Sequence, residues 1–284
     1  MNSRAPHPVT GGLFDSPVVP GTGWPGDPAT GATPVAHTGA QVAELAAATE
    51  SVADLQAAIS VCRACPRLVR WRESVAIDGR RAAFADQPYW GRPGPSFGPA
   101  DASVLLVGLA PAANGTNRTG RMFTGDASGD FLWAALYRTG WAMQETSVAA
   151  GDGQGLHDMR MVAAVRCAPP QNRPTGQEKV VCRQWLERDL ELAADHLRAI
   201  LCLGALSWQA IWAAAKGLGW TRGGPMPTFG HGARVMLSLP HGRQVHVVGG
   251  YHVSPHNTYT GRLTPAMLDE LLLELRAQPR DEIC

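Results

Sequence analysis

The run SVLLVGL, Ser103 to Leu109, constrains this chain most. It is short, apolar throughout and bounded by Pro99 and Pro111, so it reads as a strand buried on both faces. MRMVAAVRCAPP reads as a second buried strand, stopped by two prolines that cannot continue a ladder. AILCLGA is a third, and ARVMLSL with QVHVVGG add one or two more around the turn at Pro240 to Gly242. Helical patterns fall between them. GDFLWAALYRTG ends at Gly140, a left-handed stop. Thr175 and Glu178 have capping-box spacing ahead of a long amphipathic stretch. SWQAIWAAA reads as a helix capped by Ser207, and the last helix starts with Thr264 as cap and Pro265 in its first turn. Strands alternating with helices predict an α/β fold, a three-layer αβα arrangement around a mainly parallel, four-stranded central sheet.

Residues 42–284 are expected as one domain, with helix-like apolar spacing from Val42 to Val75 around a turn at CRAC. Residues 1–41, rich in Pro, Gly, Ala and Thr and without a sustained period, are expected as a disordered tail. No stretch approaches the roughly 20 apolar residues a membrane helix needs, which predicts a soluble, cytoplasmic protein. A formal net charge of +1 neither demands nor excludes a nucleic-acid partner. Positive charge clusters once: Arg63, Arg67, Arg70, Arg72, Arg80 and Arg81 stand against only Glu73 and Asp78. This predicts either a solvated helix face or a phosphate-contacting surface.

In parallel sheets ligands bind beyond the carboxyl ends of the strands. Three strand-end loops are unusual: APAANGTNRTGRMFTGD, CAPPQNRPT and YHVSPHNTYTGRLT. Of the 6 cysteines, Cys62 and Cys65 form a CxxC on a turn, Cys167 follows a strand, and Cys182 falls in the second turn of a helix. Four such thiolates suit either tetrahedral zinc or an iron-sulfur cluster, and spacing alone does not choose. Cys202, inside an apolar strand, reads as an inert core residue and Cys284 as a tail thiol.

Together, the three loops and four cysteines resemble the broad-specificity, iron-sulfur family of uracil-DNA glycosylases, family five, over about Ser60 to Leu275. Two positions depart from that pattern: Asn114 stands where the family commonly has His, and Val253 where it has Pro. The resemblance implies the uracil-DNA glycosylase fold, a [4Fe-4S] cluster on Cys62, Cys65, Cys167 and Cys182, and DNA as partner of a monomeric enzyme that starts base excision repair. Such an enzyme flips the damaged nucleotide into a pocket. The resemblance gives Phe123 as stacking platform, Asn172 as reader of the base edge, and His252 as donor to the leaving base. Ser254 and Asn257 shape the last loop against the DNA backbone. Gly108, Ala110 and Asn114 belong to the substrate site.

Related glycosylases carry Asp, Asn or Glu at the first strand end to orient water; here those positions read Leu109 and Ala110. The loop must then place the water, through Asn117, Asn114 or Asp126, although Asp126 also suits a helix cap. A wall without a fixed polar group discriminates less, which fits release of several damaged bases. The rival within the superfamily is a non-hydrolytic iron-sulfur protein that binds or covalently captures uracil-containing DNA. That branch resembles a loop with an inserted basic segment and a histidine, which NGTNRTGRMF does not show. An electron carrier or zinc-stabilised binding module would explain the cysteines but leave the three loops without purpose.

Overall fold

The structure, a computed structural model, describes residues 4–278; the tail thiol Cys284 lies outside them. The chain runs β1 (Ala5–Pro6), β2 (Leu13–Phe14), α1 (Gly39–Ala48), α2 (Val52–Ser60), α3 (Pro66–Ile77), β3 (Val104–Gly108), α4 (Thr116–Thr119), α5 (Ala127–Arg138) and β4 (Met159–Ala163). It continues α6 (Gly176–Ala193), β5 (Ala199–Leu203), α7 (Ala205–Gly217), β6 (Thr221–Arg222), β7 (Arg234–Ser238), β8 (Gln244–Gly250), α8 (Pro255–Tyr259) and α9 (Pro265–Ala277). Helix starts follow the expected chemistry. Thr175 Oγ1 accepts from the Glu178 amide at 3.2 Å while Glu178 accepts from the Thr175 amide at 2.7 Å, a complete capping box on α6. Thr264 caps α9, with Pro265 in its first turn. Ser207 does not cap α7. Gly204 holds that position at φ 98°, and the Ser207 hydroxyl donates back to its carbonyl at 2.8 Å.

The strand order is β4-β3-β5-β8-β7-β6. The first four are parallel, as expected; β7 and β6 extend the sheet antiparallel because a tight turn, with Gly242 at φ 81°, joins β7 to β8. Residues alternate between the two faces of the parallel strands. Leu106, Met161, Leu201 and Val248 pack under α5 and α9, while Leu105, Val107, Ile200 and Val247 pack under α6 and α7. The three-layer expectation therefore holds. The chain leaves β3 toward β4 on one side and later returns to place β5 on the other. The crevice between the β3 and β5 carboxyl ends is the topological switch point. Among the described residues no helix is long and apolar enough to cross a membrane.

The expected disordered tail is replaced, from residue 4 onward, by an irregular strap laid on the domain. Phe14, Val18 and Trp24 form one apolar cluster with Trp90 and Ala150. Asp27 accepts a bidentate pair from buried Arg92 at 2.7 and 3.0 Å, and the Ala36 carbonyl accepts from the Arg63 amide at 2.8 Å. Composition misled because a few apolar anchors suffice, while Gly and Pro let the chain follow the surface between them.

The expected phosphate-contacting surface is largely spoken for. Arg63 pairs with Glu73, Arg67 makes a bidentate bridge to Glu178 with both bonds at 2.8 Å, Arg72 is buried, and Arg80 donates to three backbone carbonyls. Only Arg70 and Arg81 of the six are exposed without an ion pair among the described residues.

Candidate active site and cysteine centre

A cavity of about 460 Å³ opens at the switch point. It is lined by Leu109, Ala110 and Ala112 after β3, Asn172 after β4, Leu203 to Leu206 after β5, His252, Ser254 and Pro255 after β8, and Ser128 from α5. Of the residues expected from sequence, it gathers Ala110, Asn172, His252 and Ser254. The β5–α7 turn went unforeseen, although the same strand-end rule points to it: AILCLGA places Gly204 at the carboxyl end of a parallel strand.

His252 is partly buried beside that turn. At Gly204 a Cβ would sit 3.3 Å from the His252 Cβ, so glycine serves both the positive φ and the close approach of the histidine. Burial pushes the imidazole below its ordinary 6.5, and the Asp126 carboxylate pulls weakly the other way. The ring is therefore neutral at pH 7. Asn257 Nδ2 donates to the His252 carbonyl at 2.7 Å, and the Asn257 amide donates to the Ser254 carbonyl at 2.9 Å. Asn172 adopts φ 56°, a left-handed conformation asparagine tolerates, and its side-chain amide has no partner among the described residues.

Around this lining stand the other expected residues. Phe123 is held at φ 49°, its carbonyl accepting from the Trp133 indole at 2.8 Å. A Cβ on Gly108 would fall 2.8 Å from the Phe123 ring, so the ring lies directly on the bare backbone at the β3 end. Asp126 caps α5 through Oδ1, accepting from the Gly129 amide at 2.9 Å, while Oδ2 faces Gly115. Asn114 accepts from the Tyr89 hydroxyl at 2.9 Å. Asn117 is buried, its Nδ2 donating to the Arg72 carbonyl at 3.1 Å, and it does not line the cavity; its expected water-placing role loses its geometric basis. Sequence reasoning also missed Arg118. Its guanidinium donates to the carbonyls of Asn114 and Gly125, both at 2.9 Å, and so braces the strand-end loop. An arginine among small residues and amides was the available signal.

The four expected cysteines converge in one packed cluster with Leu68, Val165 and Trp185, and Ala110 of the cavity wall touches the same cluster. None is in a disulfide. Burial pushes the Cys62 and Cys182 thiols up and takes Cys65 to about 12; Cys167 adds like-charge repulsion at all three. N–H groups point at sulfur, among them Arg72 Nη1 to Cys167 Sγ at 2.9 Å and the Arg166 amide to Cys182 Sγ at 3.3 Å. Among the described residues no three His, Cys, Asp or Glu side chains are placed to hold a single metal ion. The four thiols, none in a disulfide, share one packed cluster. Cys202 lies apart in β5, its thiol pushed up by burial alone.

The cavity thus lies at the switch point of a parallel sheet, lined by an amide, a histidine and an apolar strand end. The model of the Uracil DNA glycosylase superfamily matches residues 95–276. Similar proteins include a type-5 uracil-DNA glycosylase of Mycobacterium bovis, 54% identical over 95% of this chain and 97% of that protein. Type-5 uracil-DNA glycosylases of Thermus thermophilus, at 47% over 77% of this chain and 94% of the relative, and of Pyrobaculum aerophilum, at 44% over 74% and 86%, are similar too. The chain belongs to the uracil-DNA glycosylase superfamily, in its type-5 family.

Proposed function

We propose that this protein hydrolyses the N-glycosidic bond of uracil and of other deaminated or damaged bases in DNA, leaving an abasic site. The observation that carries the reading is the convergence of His252, Asn172 and the apolar Leu109–Ala110 strand end on one cavity. As the glycosidic bond breaks, negative charge collects on the base. His252, neutral and fixed by its loop, donates a hydrogen bond to that charge, a contribution of about 3 kcal/mol for a preorganised donor. Asn172 offers both a donor and an acceptor to the base edge. Phe123, lying on Gly108, forms the stacking platform. Ser254 and the start of α8 meet the DNA backbone.

Asp126 is the favoured group for placing water. One oxygen is committed to the cap, but the other faces the strand-end loop, whereas the Asn117 donor is spent on Arg72. The wall contributed by Leu109, Ala110, Ala112, Leu203 and Leu206 offers no fixed polar side chain to leave unpaired against a wrong base. That supports acceptance of several lesions.

Cys62, Cys65, Cys167 and Cys182 fit a [4Fe-4S] cluster as an all-thiolate donor set with N–H groups aimed at sulfur. The cluster would tie α3 and α6 to the strand-end region, a structural task; metal would supply the charge that keeps these buried thiols ionised. The experiment is incubation with duplexes bearing uracil, hydroxymethyluracil or hypoxanthine. Free base and an alkali-labile site are expected. A denaturant-stable protein–DNA adduct without free base would instead mark the covalent-capture alternative.

A further inference from the structure

We infer that Arg72 is the positioning residue that holds Cys167 as a charged ligand and hangs the strand-end loop from the cysteine centre. Arg72 is 1% exposed. Its Nη1 donates to Cys167 Sγ at 2.9 Å, Nη2 to the Cys62 carbonyl at 3.1 Å, and Nε to the Gly91 carbonyl at 3.1 Å. Two of the three donors thus serve the cysteine centre. The nearest carboxylate, Glu73, lies 3.9 Å away and is engaged by Arg63. A buried guanidinium without a hydrogen-bonded carboxylate needs another anion. A neutral thiol is a weak acceptor, whereas an iron-bound thiolate supplies the missing charge at the right atom.

The same residue reaches the catalytic side through its backbone. The Arg72 carbonyl accepts from Asn117 Nδ2 at 3.1 Å, and the Gly91 amide donates to the Asn117 carbonyl at 2.9 Å, closing a ring of three residues. Among the described residues Asn117 Oδ1 is buried without a hydrogen-bond partner, while its Nδ2 is engaged by Arg72. Because Asn117 lies in α4, the loop between the β3 end and Asp126 is fixed to the helix that bears on Cys167.

The inference rests on the cluster reading, and its test separates the two. Hydrogen bonds to cluster sulfur tune the reduction potential, and a cationic donor raises it. Full-length wild type, Arg72→Gln and Arg72→Lys are purified anaerobically, assayed for iron and sulfide, and measured by voltammetry. Loaded Arg72→Gln is expected at a clearly lower potential than wild type, with a changed sulfur-to-iron absorption band. Wild type without iron and sulfide removes the cluster reading and this role with it. Loaded Arg72→Gln at the wild-type potential overturns the role of Arg72 while the cluster reading stands. Should Arg72→Gln emerge folded but empty, Arg72→Lys decides: restored loading supports the charge at Cys167, and an equally empty lysine variant overturns it.

Discussion

Asn257 Nδ2 and the His252 carbonyl are joined at 2.7 Å, a side chain of α8 closing the loop on which the imidazole is carried. A net bond of this kind contributes about 1 kcal/mol, and misplacing a catalytic donor costs more than the bond itself. Asn257→Ala is expected to lower single-turnover uracil release by roughly tenfold or more with little change in thermal midpoint. A large fall in midpoint with full activity per folded molecule would contradict that division.

The neutral imidazole sets a pH signature. Because burial lowers the folded-state value of His252 below 6.5, the unfolded chain takes up its proton first as pH falls. The penalty is absent above the ordinary value and grows below it. Urea midpoints of wild type should therefore fall more steeply than those of His252→Gln between pH 7.5 and 5.5, pH values chosen at about one unit either side of 6.5. Parallel curves would show that His252 is not held neutral by the fold.

Gly108 is the place where the Phe123 ring meets bare backbone. Gly108→Ala drives a Cβ to 2.8 Å from the ring, displacing the side chain proposed as the stacking platform. Base release should drop by one to two orders of magnitude, about the 1–3 kcal/mol of a lost base–aromatic stack, while the visible absorption of the cysteine centre stays unchanged. Unchanged release would separate Phe123 from the substrate.

Arg67 and Glu178 join the starts of α3 and α6, which carry Cys65 and Cys182 between them. Arg67 holds the Glu178 carboxyl below its ordinary value of 4.5 against the opposing effect of burial. The stabilisation is present above that value and fades as pH falls through the lowered one. Arg67→Ala should cost about 1 kcal/mol of stability and leave the salt dependence of DNA binding unchanged. Arg70→Ala, an exposed cation, should reduce that slope by about one phosphate contact if the face lies on DNA.

The strap supplies a further test. Trp24 is 4% exposed and packs edge-on against His7 and Phe14 and at a tilt against Trp90. Trp24→Ala should destabilise the protein by about 3 kcal/mol or more, the cost of emptying a large aromatic site. A disordered tail would leave the thermal midpoint unmoved.

These residues show what the sequence made legible. SVLLVGL and its sister strands announced the parallel sheet because a strand buried on both faces leaves a continuous apolar run, and Thr175 with Glu178 announced α6 because capping chemistry is local. Strand-end loops of such a sheet converge, which pointed to the loops bearing His252 and Asn172, while the choice of those two residues within them came from the family resemblance. Long-range pairing left no such mark. Nothing within a few residues of Arg67 names Glu178, 111 positions away, so a clamp read as either a solvated helix face or a phosphate-contacting one. Asn117 looked like a loop amide until its donor met Arg72, and Trp24 looked like tail until it found Trp90.

The role proposed for His252, stabilising the departing base, is tested most directly by its removal. Single-turnover release of uracil from a duplex should fall about a hundredfold in His252→Ala, the equivalent of roughly 3 kcal/mol, with DNA affinity and the visible spectrum of the cysteine centre retained. Wild-type rates in a folded, spectrally intact His252→Ala protein would contradict the account and move the leaving-group role elsewhere in the cavity.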